Sequence, residues 1–229
     1  MATAITIMAE RLDTQALLRL VTWMSPAFPV GAFSYSSGLE QAVHDRLITD
    51  AEELRSWLET VLCHGSGWND ALLFAESYRA VNDSVRLAAV ADLAEALAGS
   101  RERHTETTLQ GQAFLVAARS WPHPVLDALP ETVYPVAVGA VAGAHETGLE
   151  PALAAFLNAA VSNAVSVVIR CGVIGQRDGV GVIAALEPII AATAGKAANA
   201  SLDDLGSATI MADISALKHE TLHSRLFRS

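Results

Sequence analysis

Residues 152–170 read ALAAFLNAAVSNAVSVVIR, and the class of fold turns on whether this run is one helix or closes in a strand. Its end, with Val167, Val168 and Ile169, is β-branched and has the composition of a strand. Length and the alanines that precede it favour helix, because strands seldom exceed ten residues and alanine is the strongest helix former. A helix apolar nearly all round has no face to give to water, so 152–170 is expected at the centre of a bundle.

Working outward, 133–147 reads as another apolar helix, with Gly139 and Gly143 at the small-xxx-small spacing that lets two helices approach closely. Tight internal packing is the expectation for it. Downstream, Gly172, Gly175 and Gly179 mark a glycine-rich turn, followed by a helix through about 194 and a small, polar, mobile linker at 195–206. Toward the N-terminus apolar residues recur at three-to-four spacing, as in Leu17, Leu18, Val21 and Met24, and strict alternation is hard to find. Asp13 precedes a first helix, and Asp50 with Glu53 reads as a capping-box variant opening 51–63. Gly65 and Gly67 break that helix before 68–81; Asn82, Asp83 and Ser84 form the next turn. Helices through 97 and over 100–120 follow, the second ended by Pro122 and Pro124. The expectation is an all-α, single-domain helical bundle over 1–229, with a flexible N-terminal segment and a C-terminal tail at 207–229.

Composition narrows the function classes. With 52% apolar and 17% charged residues, the chain is shifted toward apolar, so either partners cover part of its surface or its interior is alanine-rich. The polar residues Asn158, Ser162, Asn163 and Ser166 within 152–169 argue against a membrane span. Glu10, Arg11 and Asp13 come early, without a basic-then-apolar leader, so a cytoplasmic protein is expected. A net charge of −10 and no basic stripe interleaved with aromatics argue against nucleic acid. Cys63 and Cys171 make no disulfide framework and read as buried small apolar residues. The basic end of the chain, with Lys218, Arg225 and Arg228 against Glu220, stands out on this acidic body.

Two stretches carry chemistry-bearing residues. Residues 219–223, HETLH, form a literal HExxH, in which His219 and His223 on one helical face would bind zinc with Glu220 as general base. Only six residues follow, so the third protein ligand that a catalytic zinc needs has no place downstream. Residues 29–40, PVGAFSYSSGLE, admit three readings: a nucleophilic serine loop, a phosphate-cradling glycine loop, and a shaped surface for another protein. No GxSxG surrounds Ser34, Ser36 or Ser37, and an all-helical chain lacks the sheet that a nucleophile elbow requires. No GxxxxGK[ST] occurs either, while Ser36 or Ser37 can cap the helix carrying Leu39 and Glu40. That leaves Phe28, Phe33 and Tyr35, which cannot all turn inward easily, as interface aromatics. Arg225, Leu226, Phe227 and Arg228 repeat the same chemistry in the tail, with core burial the competing reading for Phe227. Arg170, amid apolar residues, needs a carboxylate or carbonyl partner. The five other histidines stand singly and suggest no metal site.

The residues 29–40, the run SNAVSVVIRCGVIGQ at 162–176 with Asp178 and Gly179, and the run DISALKHETLHSRLFRS at 213–229 resemble the UreF-type urease accessory proteins. The family typically ends in an HET-x-x-SRLFRS pattern, and His223 falls where it commonly has tyrosine, so HExxH looks accidental. Ala216, Leu217 and Lys218 depart from a Ser-Met-Arg-like run. The resemblance implies an all-helical, dimeric scaffold and chaperone, not an enzyme and without a cofactor of its own. It would join a UreD/UreH-type protein and the UreG GTPase for nickel insertion into the urease apoprotein, and influence the GTPase cycle. Partner-binding residues expected on this view are Phe33, Tyr35, Arg170, His219, Glu220, Arg225, Leu226, Phe227 and Arg228. The tail is expected to be loosely attached until a partner folds it. A zinc hydrolase using His219 and His223 is the alternative.

Overall fold

A computed structural model of the chain describes residues 13–129 and 131–229. Among the described residues the long elements are all helices: α1 (Thr14–Trp23), α2 (Leu39–His44), α3 (Ala51–His64), α4 (Ser66–Arg79), α5 (Ser84–Ala96), α6 (Arg101–Ala118), α7 (Val125–Ala128), α8 (Tyr134–Ala144), α9 (Leu149–Arg170), α10 (Gln176–Ala197) and α11 (Ile210–His219). Short 3-10 turns at Ala32–Ser34 and Leu202–Asp204 complete the set. The expected all-α class is what the chain adopts. The flexible N-terminal segment falls on residues 1–12, outside the described residues.

The helix starts follow from local chemistry. Asp50 accepts from the backbone N–H groups of Glu52 and Glu53, and Glu53 reaches back to the Thr49 N–H at 2.7 Å, so the reciprocal cap spans one residue more than the usual box. Asp83 and Ser100 cap α5 and α6 in the ordinary way.

The run at 152–170 is helical to its end. Val161, Val165, Val167 and Val168 are buried, and α9 packs against α2, α3, α4, α8 and α10, so its β-branched side chains fill the core between helices. Against it lies α4, and against α4 lies α8. There Gly139 and Gly143 are necessary, because a Cβ would stand 2.4 Å from the Phe74 carbonyl oxygen in the first case and 2.5 Å from that of Tyr78 in the second. Phe74 and Phe156 stack at 5.2 Å in the same layer, next to Tyr134.

Two expectations change. By length and composition alone α9 and α10 are long and apolar enough to cross a membrane, despite the polar residues in α9; in the fold each gives a buried face to the bundle. The linker at 195–206 is tied down. Arg79 donates to the carbonyls of Ala198 at 2.7 Å and Ala200 at 3.0 Å, capping α10, while Trp68 donates to the Asp204 carbonyl and Asn69 accepts from the Gly206 N–H. Small polar residues here give the chain a path close to α4 and leave its backbone free to accept these bonds.

Candidate functional site: the docked tail

The loop at 29–40 and the chain end at 207–229 form one structure. Gly38 starts α2 with φ of 82°, in the left-handed region, and a Cβ on it would stand 2.6 Å from the Ala216 backbone nitrogen. A glycine is therefore required twice, by the turn and by the close approach of α11. Gly38, not a serine, is the cap residue of α2, although Ser36 Oγ accepts from the Glu40 N–H at 3.4 Å. The hydroxyls also serve the tail. Ser36 N–H donates to the Ser229 carbonyl at 2.8 Å and Arg228 N–H to the Ser34 carbonyl at 2.8 Å, so loop and tail pair backbone to backbone. Ser37 and Ser229 hydroxyls both donate to Glu106, at 2.9 Å and 2.7 Å.

Charged groups complete the seam. Glu40 of α2 accepts the Leu226 N–H at 2.6 Å and the Phe227 N–H at 3.1 Å. His219, wholly buried, sits between Glu102 of α6 at 2.7 Å and Glu40 at 3.1 Å. Arg225 pairs with Glu102. Glu220 accepts from the Arg101 N–H at 2.8 Å, so a tail residue helps cap α6 from outside. Lys218 bonds Asp45 at 2.9 Å and, with His44, holds that carboxyl below its ordinary range. Deeper in, Asp70 pairs with Arg103 at 2.5 Å and keeps its guanidinium firmly protonated.

Arg170 finds the carbonyl partner its position demanded: it donates to Phe33 at 2.5 Å, and its guanidinium carbon lies 4.3 Å over the Phe227 ring. The expected loose attachment of the tail is thus overturned by Phe227, 3% exposed, and by His219. Burying one aromatic ring and satisfying two backbone N–H groups on the Glu40 carboxylate outweighs the polar look of the preceding linker.

The aromatic expectation divides. Phe28 and Tyr35 turn inward, while Phe33 remains 65% exposed; in the tail Leu226 is 64% exposed beside buried Phe227. Phe33, Leu226 and the exposed Arg225 and Arg228 therefore face outward, and Tyr35, His219 and Phe227 hold the seam from within. A groove of about 940 Å³ runs alongside, with apolar walls that include Leu17, Val21 and Phe156 and a polar end at Glu106.

The HExxH residues diverge. α11 ends at His219, so exposed His223 lies beyond the helix, and both ring nitrogens of His219 already face carboxylates. Among the described residues no group of three or more His, Cys, Asp or Glu side chains is arranged to hold a metal ion. The cysteines are half-buried, not core residues; burial, with the nearby Glu40 charge, pushes the Cys171 thiol up to about 11.

Comparison with known proteins decides the family. A family model described as UreF matches residues 48–187. The chain is 69% identical over 223 residues to the urease accessory protein UreF of Sinorhizobium medicae (strain WSM419), covering 97% of this chain and 100% of that one. The chain belongs to the UreF family. It is also 69% identical to the urease accessory protein UreF of Rhizobium meliloti (strain 1021), over 97% of this chain and 100% of the relative, and 60% identical to that of Rhizobium etli over the same shares. The matched UreF segment at 48–187 contains Glu102, Glu106 and Arg170 of the seam, while the loop at 29–40 and the tail lie outside it.

Sequence reading of this UreF-family chain missed the acceptors of the seam: Glu40, Glu102 and Glu106. Their signal was available for Glu40 alone, a carboxylate ending a hydroxyl-rich loop in a protein whose tail is basic. Glu102 and Glu106 stand in an ordinary polar helix start, and only the fold shows that α6 faces the tail.

Proposed function

We propose that this protein is a urease maturation scaffold that joins a UreD/UreH-type protein and a UreG-type GTPase for nickel insertion into the urease apoprotein, and influences the GTPase cycle. It works as a cytoplasmic homodimer over a single helical domain, without catalysis or a cofactor of its own. Family membership supports the urease setting, since the relatives are named urease accessory proteins. The observation that carries the scaffold reading is the outward face of the docked tail. Phe33 and Leu226 stand exposed beside Arg228, whose guanidinium has no ion pair among the described residues. Exposed apolar and arginine side chains on a rigid seam are what interfaces use as anchors. Ile210, Ile214 and Leu217 continue that apolar character along α11. For self-association the outer side of α10, with Val180, Ala184, Ala185 and Pro188 exposed beside Glu187, offers apolar surface.

Co-expression with UreD/UreH-type and UreG-type proteins tests the proposal. Recovery of all three in one size-exclusion peak, with this chain present in two copies, is the expected result. Separate elution of every component, with stoichiometric zinc on this chain, would return the argument to the hydrolase.

A further inference from the structure

We infer that a pocket beside the seam, formed around Tyr35, Arg101 and Arg228, receives the carboxylate of a glutamate side chain from the partner protein. The inference rests on the scaffold reading for there being a partner, and it adds the chemistry by which that partner is recognised.

The pocket holds about 170 Å³ and is lined by Tyr35, Arg101, Glu102, Thr105, Leu109 and Arg228. The loop at 29–40 supplies Tyr35, one side of α6 supplies four residues, and the tail supplies Arg228, so the site is complete only while the tail is docked. Arg228 donates its backbone N–H to the Ser34 carbonyl at 2.8 Å, which fixes the root of an otherwise exposed side chain.

The donors around this pocket are unspent. Tyr35 is 5% exposed, and its hydroxyl makes no hydrogen bond among the described residues, yet it is not one of the side-chain atoms shut off from water. A hydroxyl so placed is left to donate to whatever enters the pocket. Arg228 has no ion pair among the described residues, and Arg101, with a side chain 78% exposed, meets Glu220 at 3.4 Å. The start of α6 offers an anion no free N–H here, because Glu220 already accepts those of Arg101 and Glu102, at 2.8 Å and 3.4 Å.

Charge sets the sign of the occupant. Glu102, the carboxylate in the lining, is turned to Arg225 and His219, which leaves Arg228 and part of Arg101 without an opposite charge on a chain of net charge −10. A carboxylate closes that balance, and two guanidinium groups with a phenol give it charge-assisted hydrogen bonds. Shape sets the kind of carboxylate. Leu109 and the Tyr35 ring make an apolar wall that matches the methylenes of a glutamate and has nothing to offer a bare phosphate.

Glutarate is the probe, titrated into the full chain while the arginine Nε–H signals are followed by NMR. The Arg101 and Arg228 signals should shift saturably, with half-saturation at about 1–20 mM, the strength of a few charge-assisted contacts to a small ligand. Tyr35→Phe keeps the ring and loses only the hydroxyl; it should weaken that binding about threefold, and Arg228→Gln about tenfold, with Tm unchanged in both. Inorganic phosphate bound as tightly as glutarate would overturn the assignment to a side-chain carboxylate, and no saturable shift with glutarate would overturn the pocket. Against the purified UreD/UreH-type protein, Arg228→Gln should raise Kd at least about tenfold, and Tyr35→Phe by less. Wild-type Kd in both variants would overturn the partner's carboxylate as the occupant. A wild-type chain that takes glutarate and captures no UreD/UreH-type protein would instead remove the scaffold reading and leave the carboxylate pocket standing.

Discussion

Arg170 holds its guanidinium carbon 4.3 Å above the Phe227 ring while donating to the Phe33 carbonyl. One side chain at the end of the central helix thus fixes both the loop at 29–40 and the tail, and the consequence is a rigid seam with selected residues left outside. That division between inward and outward residues generates the predictions.

Phe227→Ala should lower the unfolding free energy by about 3 kcal/mol, the range for truncating a buried aromatic. Leu226→Ala, one residue earlier and 64% exposed, should change it by under about 0.5 kcal/mol. Urea denaturation of the two variants measures the contrast, and equal effects would mean that the tail does not pack as described.

Gly38→Ala combines a left-handed backbone with a Cβ directed at the α11 backbone. A loss of about 1–3 kcal/mol is expected. Amide exchange should show it concentrated in residues 210–229, since relief comes by moving α11 away from α2.

His145, packed against Trp23 and His123, titrates below its ordinary range. Burial, with the charges of Arg19 and His123 acting the same way, lowers it below the ordinary histidine value of 6.5. Its stabilisation is therefore present above that value and is lost as pH falls through the lowered one. Thermal unfolding scanned from pH 7.5 to pH 4.5 should show a declining Tm, with a shallower decline in His145→Gln.

Cys171 should react slowly. With its thiol pushed up to about 11 from an ordinary 9.0, the thiolate present at pH 8 is about a hundredfold scarcer than in a free cysteine. Iodoacetamide labelling followed by peptide mapping should show that lag, and labelling at the rate of glutathione would contradict it.

Much of the fold was legible because helices announce themselves locally. Asp50 and Glu53 marked the start that the structure places at Ala51, and Gly139 with Gly143 marked the close contact of α8 with α4. The seam was half legible. Arg170 declared its need for a carboxylate or carbonyl partner, and the aromatic and arginine residues drew attention to the right two stretches. Whether each faced in or out was not legible, because Phe33 and Tyr35 differ only in where a 3-10 turn points them, and Leu226 and Phe227 only in their order along an irregular backbone. Glu102 and Glu106 were invisible for another reason: their seam partners stand 69 to 123 residues away, a pairing that no local spacing encodes.

Affinity for the purified UreD/UreH-type protein, measured on a Leu226→Ala, Arg228→Ala double variant, tests the central claim most directly. Both side chains face outward, so the account predicts a Kd at least tenfold weaker, about 1.4 kcal/mol or more, with helix content and Tm unchanged. An unchanged Kd in a fully folded double variant would contradict the claim that the docked tail presents the binding surface.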